Sequence, residues 1–417
     1  MKDSPRLRSI DRWVGAPICF VFSLLARIGR KRPTAVVRKV LVIELFEMGA
    51  SLMAYPSLSY LKSTLKDPEL FCLTTGGMRE AWRMLDIIPE ENIVVVSDKG
   101  LISFLKSLVT AVVSLRREKI DVVIDFGLFM RISAILSFVI KADRRAGFFR
   151  YEFEGLYRGT FQDRKCAFNQ NSHIAKNFLA LTKTALLNSE DYPNFKGGIN
   201  PSELLTPVYR SDSDLRQRLQ ARVGALSPRF DRDRTRLILV SPDVGPNLSM
   251  RNYPRQSFAA VVKGLLSHYP GSLILFIGTA YDREAADDIS RKVSDDRCLN
   301  FCGETTFQEL WELLSMAELL LSNDNGPAHF AAAAGTKTLA LFSTDSPFVY
   351  GPLGNCVIAY TFYQCSPCIG AYNHKNSRCR DNKCLQSLAP EKVLDLAISL
   401  MEGKARYRTI NNDIRYI

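Results

Sequence analysis

The apolar positions of this chain fall in short unbroken runs rather than in alternation. Val40–Ile43, Leu70–Leu73, Ile93–Val96 and Asp121–Ile124 are runs of this kind. Apolar runs of about four to six residues without alternation mark strands buried on both faces. Between them, Met48–Leu65, Ile102–Arg117 and Arg131–Ile140 carry helical spacing. Strands and helices in alternation predict a parallel sheet covered on both sides.

The pattern breaks between about residues 186 and 236. Pro193, Gly197, Pro201, Pro207 and Pro228 fall there with the charged run Asp231–Arg236. This stretch reads as a connection holding one charged helix near 211–223. The pattern then restarts with strands at Leu237–Val240, Ser272–Ile277, Glu318–Leu321 and Thr338–Phe342. Helices are predicted at Phe258–His268, Asp282–Val293, Phe307–Met316, Pro327–Ala334 and Pro390–Met401, with a polar tail over Lys404–Ile417. The reading is therefore α/β, with two Rossmann-like domains whose parallel sheets face a cleft. The first domain is placed at 36–210 and the second at 211–417. Ligands in such sheets bind outside the carboxyl ends of the strands.

Charge changes the picture at the N-terminus. The net charge is +12, and residues 1–40 hold ten Lys/Arg against two Asp/Glu. Within that segment (residues 1–35 taken as a separate element) Trp13–Ala26 is mostly apolar and is followed by Arg27, Arg30, Lys31 and Arg32. A bilayer span needs about 20 apolar residues, so this run is too short to cross. It suits a helix lying in the membrane interface, with cations on acidic headgroups at about 1 kcal/mol each. A buried core helix and a signal segment are the other readings. Nucleic-acid binding is set aside, because no aromatic interleaving or known module accompanies the basic residues. Six of the ten cysteines are scattered, which suits a reducing cytoplasm better than a disulfide framework.

One segment points to chemistry. In Glu318–Gly335 a strand runs into the polar loop Ser322-Asn-Asp-Asn-Gly326, Pro327 takes an early helical position, and a run of alanines ends at Gly335. Pro suits the first helical turn and Gly the stop. The free N–H groups of such a helix start attract an anion, a diphosphate above all. A tight turn with Asn and Asp as caps is the plainer reading.

The same segment, Asn323-Asp-Asn-Gly-Pro-Ala-His329, resembles a stretch of glycosyltransferase family 9, the heptosyltransferases of lipopolysaccharide core assembly. Val40–Leu58, Asp121–Ser133, Asp143–Phe148 (read as a turn), Ser241–Pro254, Gly303–Ala317 and Ala340–Tyr350 resemble further segments of that family, over about residues 36–400. The resemblance implies a GT-B fold. It implies a metal-independent, inverting transferase that moves a heptose or related sugar from a nucleotide diphosphate, ADP foremost, to a lipid-linked saccharide. It further implies a cytoplasmic enzyme, peripheral on the cytoplasmic face of the inner membrane.

Carried over by position, Asp324, Asn325, Gly326 and Pro327 line the diphosphate, and His329 follows one turn on. Arg251 falls where the family has a basic residue, and a cation there would meet charge on the departing diphosphate. Tyr253 replaces a tryptophan and packs the loop. Asp282 and Glu284 are candidates for the ribose hydroxyls. Arg131, with Arg79 and Arg83 nearby, is a candidate for an anionic acceptor. The family's candidate base is an Asp, but Ala50 stands in its place. Glu47 is the closest substitute, with Glu44 and Asp125 as alternatives. A base there would need a raised pKa through partial burial. Cys365, Cys368, Cys379 and Cys384 have a spacing that fits a structural zinc site, with His374 as a substitute ligand. Free thiols or an iron–sulfur centre also fit. Two other functions stay open: a relative that binds nucleotide sugar without transferring it, and a nucleotide-sugar epimerase.

Overall fold

The computed structural model describes residues 9–28, 36–46, 48–128, 130–149, 157–188, 195–370, 377–405, 408–410 and 414–416. The chain divides into two compact units, the first reaching Leu205 and the second starting at Thr206.

In the first unit a π-helical turn, Asp11–Gly15, runs into α1 (Ala16–Leu25). Then follow β1 (Lys39–Ile43), α2 (Met48–Thr64), β2 (Glu69–Thr75), β3 (Ile93–Val96), α3 (Leu101–Arg117), β4 (Val122–Asp125), α4 (Ile132–Val139), β5 (Arg144–Phe149), β6 (Arg164–Ala167) and α5 (Ile174–Leu186). The six strands form one parallel sheet in the order β3-β2-β1-β4-β5-β6. Val40, Leu41, Val42 and Ile43 are all buried, as a central parallel strand covered on both faces requires. One core cluster joins β1 and β2 to α3 and α4 through residues such as Leu41, Phe71, Phe104, Leu115, Leu136 and Ile140.

Asp143–Phe148 is not the turn expected of it but belongs largely to β5, and β6 and α5 lay outside the sequence pattern. Their strands carry arginines, which hides them from a hydrophobic reading. The charges are paired instead: Arg145 meets Asp163 at 2.9 Å, and Arg164 donates to the Leu187 carbonyl at 2.8 Å.

The second unit contains α6 (Ser213–Leu226), β7 (Arg236–Ser241), α7 (Arg255–His268), β8 (Ser272–Phe276), α8 (Arg283–Val293), β9 (Cys298–Asn300), α9 (Phe307–Met316), β10 (Leu319–Asn323), α10 (Gly326–Ala333), β11 (Lys337–Leu341), β12 (Cys356–Ala359) and α11 (Pro390–Met401). The tail is not merely polar. It forms β13 (Arg408–Ile410) and β14 (Ile414–Tyr416), an antiparallel pair, with β14 running parallel along β12. The sheet order is β13-β14-β12-β11-β10-β7-β8-β9. The segment entering this unit is held by a buried carboxylate: Glu312 accepts hydrogen bonds from Tyr209, Ser211, the Asp212 amide and Arg216, all between 2.8 and 2.9 Å.

Candidate functional site

The neighbouring strands β7, β10 and β11 place Ser241, Asn323 and Leu341 at one end of the second sheet. The loops leaving these ends are locked together by amide side chains. Asn323 donates to the Pro242 carbonyl at 2.8 Å and accepts from the Tyr253 amide at 3.0 Å. Asn325 donates to Ser241 Oγ at 2.8 Å and to the Asp243 carbonyl at 3.0 Å, and accepts from Ser322 Oγ at 2.7 Å. Asn325 has the extended backbone of an N-cap, yet its side chain makes no capping bond to α10. Gly326 and Pro327 open that helix, so its first-turn N–H groups have no side-chain cap. That arrangement suits an anion, worth about 0.3–1 kcal/mol from the helix dipole at an exposed site and more where partly buried.

Arg251 ends a 3₁₀ helix, Pro246–Arg251, and its side chain is enclosed. Its guanidinium stands 3.5 Å from Asp324 and forms an ion pair with Asp345, on the loop after β11. Two of the expected residues, Arg251 and Asp324, are thus brought together. Asp345 was not foreseen, because only the lateral adjacency of β10 and β11 makes it a neighbour. Several polar atoms here find no hydrogen-bond partner among the described residues: Ser343 Oγ, Thr344 Oγ1, Asp345 Oδ1 and Arg251 Nε. Each such buried group ordinarily costs about 1–3 kcal/mol, so four at one end of the sheet suit a polar ligand.

Tyr253 packs as expected: it is buried against Phe258, ring centroids 5.2 Å apart, and its hydroxyl donates to the Leu388 carbonyl at 2.7 Å. His329 is half-buried on α10. Asp282 is buried, and its Oδ2 accepts from the Thr279 hydroxyl at 2.9 Å and from the Thr279 amide, closing the turn after β8. Burial raises its pKa and nearby Asp243 adds to the rise, while the Thr279 bonds oppose it. Asp282 and Thr279 thus form a reciprocal capping box at this turn. Glu284 is largely exposed and pairs with Arg255 at 3.4 Å.

In the first unit Glu47 lies outside the described residues. Glu44, at the end of β1, is buried and accepts from the Phe46 amide at 3.1 Å. Asp125 is fully buried, paired with Arg158, and also accepts from the Gly127 amide at 3.0 Å. Burial pushes its carboxyl up and Arg158 opposes the rise. Asp125 is thus enclosed and held by Arg158 and the Gly127 amide.

The expectation that Arg131 faces an acceptor is corrected. Arg131 is buried and pairs with Asp11 at 3.1 Å, while Asp11 also accepts from the Arg131 amide at 2.8 Å. Arg131 therefore secures the N-terminal helix. Arg79 pairs with Glu90 at 2.7 Å and Arg83 with Glu80 at 2.7 Å, all partly exposed. Such exposed pairs contribute little to stability.

Of the four clustered cysteines, Cys365 and Cys379 are exposed, Cys368 is half-buried and Cys384 is buried. Cys379 donates to the Asp381 carbonyl at 3.0 Å. Among the described residues no three His, Cys, Asp or Glu side chains are grouped to hold a metal ion. The expected zinc ligands are therefore not gathered, and His374 lies outside the described residues.

A family model, glycosyltransferase family 9 (heptosyltransferase), matches residues 110–377. Lipooligosaccharide heptosyltransferase 2 of Campylobacter jejuni is 26% identical over 165 residues, covering 38% of this chain and 50% of that protein. The chain thus spans half the length of that relative. Lipopolysaccharide heptosyltransferase 1 of Campylobacter coli is 21% identical over 315 residues, covering 74% of this chain and 85% of that protein. Among solved structures, E. coli ADP-heptose lipopolysaccharide heptosyltransferase II aligns with a TM-score of 0.64 at 17% identity, covering 88% of this chain and 99% of that one. A family 9 glycosyl transferase from Veillonella parvula aligns with a TM-score of 0.65 at 18% identity, covering 88% and 98%. At such identities the likeness concerns the fold, the two-domain GT-B architecture.

Proposed function

The chain belongs to glycosyltransferase family 9, the heptosyltransferases, and on that premise we propose that it transfers a heptose or related sugar from a nucleotide diphosphate, ADP foremost, to a lipid-linked saccharide. The observation that carries this reading is Arg251, enclosed beside Asp324 and Asp345 at the uncapped start of α10. The diphosphate lies against the α10 amides, with Ser343 and Thr344 hydroxyls as further donors. Asp324 and Asp345 orient the guanidinium so that it meets charge where the leaving group develops it. Such a fixed cation or donor is worth about 3–4 kcal/mol of barrier.

The acceptor hydroxyl oxygen attacks the anomeric carbon from the face opposite the diphosphate. The new C–O bond forms as the bond to the diphosphate breaks, the electron pair leaves with the diphosphate, and the centre inverts. The hydroxyl proton passes to a carboxylate, for which Glu47 is the proposed base. His329 and the ribose role of Glu284 belong to the same donor-site proposal. The acceptor is lipid-linked, and the enzyme works at the cytoplasmic face of the inner membrane, with its basic N-terminus on the lipid surface. No helix among the described residues is long and apolar enough to cross a membrane.

A second reading has one observation in its favour. Ala50, in the first turn of α2, cannot accept a proton, so the chain would bind nucleotide sugar without transferring it. Purified protein with ADP-heptose and a heptose-acceptor lipid extract separates the two. Glycosylated acceptor and free ADP are expected; thermal stabilisation by ADP-heptose with no product would establish the second reading. No stabilisation by any nucleotide sugar would sink both.

A further inference from the structure

The N-terminal helix is turned inside out relative to an ordinary surface helix. Its inward positions are small, Gly15, Cys19 and Ser23, four residues apart and all buried. Gly15 lies on Arg131, where an added Cβ would come within 3.1 Å of the arginine Cβ. Its outward positions are large and apolar: Trp13, Val14, Phe20, Val21, Leu24 and Leu25 are all exposed, Trp13 by 74%. A helix facing water presents charge on that side.

α3 repeats the feature. Phe104, Ala111 and Leu115 enter the core, while Ile102, Leu105, Val109 and Val113 form an outward row, Ile102 being 73% and Val109 65% exposed. The spacing of three, four and four residues keeps that row on one face.

Both helices are fixed to α4. α3 shares a core cluster with α4, and Arg116 donates to the Val139 carbonyl at 2.6 Å. α1 packs on α4 through Phe22 stacked on Phe138, ring centroids 4.4 Å apart, and through the Asp11–Arg131 pair. α3, α4 and α1 thus form one connected helical group, and its two outer members expose apolar rows.

The charges among these rows are of one sign. Arg12, Arg27, Lys106, Arg116 and Arg117 are exposed, and α3 contains no Asp or Glu. The one acid among residues 9–28, Asp11, is taken up by Arg131. A second copy of the chain would bring cation against cation on such a face, whereas an anionic bilayer complements it.

We infer that α1 and α3 together form a membrane-docking face for anionic lipid, with α3 entering the interface beside the N-terminal helix. The inference rests on the membrane-surface reading above and extends it from a basic tail to a two-helix platform held on one domain. Large apolar patches of this kind on a soluble protein mark an interaction site.

The test is co-sedimentation of the full chain with vesicles of phosphatidylcholine alone or with phosphatidylglycerol added. Wild type should partition onto the anionic vesicles. Ile102→Glu/Val109→Glu on α3 and, separately, Trp13→Glu/Leu24→Glu on the N-terminal helix should each lower partitioning by about tenfold or more. These side chains face outward, so thermal unfolding of both variants should match wild type. Wild-type partitioning by the α3 variant, with loss only in the N-terminal variant, overturns this inference and leaves the membrane reading standing. No vesicle binding by wild type overturns both. A wild-type dimer that the α3 variant converts to monomer, with vesicle binding unchanged, assigns the α3 face to a second copy and also overturns the inference.

Discussion

Arg251 lies 3.5 Å from Asp324, which links the loop after β7 to the head of the alanine-rich helix α10. If this pair lines the departing diphosphate, Arg251→Met should lower the transfer rate by about 10²–10³. Arg251→Lys keeps a cation but loses the planar fork, and should fall between. Removing the cation also leaves Asp345 buried without its partner, so thermal unfolding must be read alongside. Wild-type turnover in Arg251→Met would remove the residue from the mechanism.

The base assignment makes a separable prediction. Glu47→Gln should abolish transfer while leaving stabilisation by ADP-heptose intact, because the change removes a proton acceptor and little volume. Glu44→Gln should instead lower stability, since Glu44 is buried in the turn after β1. Turnover lost in Glu44→Gln and retained in Glu47→Gln would exchange the two roles.

Asp125 and Arg158 are a buried pair, and breaking it has a pH signature. Arg158→Met should destabilise the first unit by about 3–5 kcal/mol at neutral pH. Burial already raises the Asp125 pKa, and losing Arg158 raises it further. Over the interval from its ordinary carboxyl range up to that raised value, the native state holds more protons than the unfolded chain. Stability must therefore fall as pH rises through that interval. Urea midpoints for the variant should be higher at pH 5 than at pH 7; equal midpoints would contradict the reading.

Asp295 behaves oppositely. Its hydrogen bonds to Arg297 hold the carboxyl at about 2, below an unperturbed aspartate. The resulting stability is present above about pH 4 and is lost as pH falls towards 2. The pair is partly exposed, so Asp295→Asn should cost on the order of 1 kcal/mol at neutral pH. The variant should lose less stability than wild type on acid titration, which urea unfolding at pH 6 and pH 3 measures.

The cysteines divide by exposure. Cys365 and Cys379 should react promptly with a thiol reagent, with Cys368 slower. Burial pushes Cys166, Cys298 and Cys302 up to about 12, so these should wait for unfolding. Clustered thiols that become reactive only after chelation would show that they hold a metal.

Unbroken apolar runs made most of this fold legible. β3, α9 and α11 have the ends that spacing predicts; Thr306 caps α9 and Pro390 opens α11. β5 and β6 escaped because their arginines are satisfied by distant acids and carbonyls, which no local window contains. The same limit applies to the candidate site. Arg251 and Asp324 were visible through their loop motifs. Asp345 gains its place only when β11 is laid beside β10, and Arg131 changes meaning once Asp11, distant in sequence, reaches it.

The antiparallel pair β13–β14 lies along β12, so these two short strands cover one flank of β12. Deleting residues 408–416 would bare the amide and carbonyl row of β12, a template for intermolecular strand addition. Such a truncated protein would self-associate into aggregates even with its candidate donor site untouched, and purification handles belong elsewhere than against that hairpin.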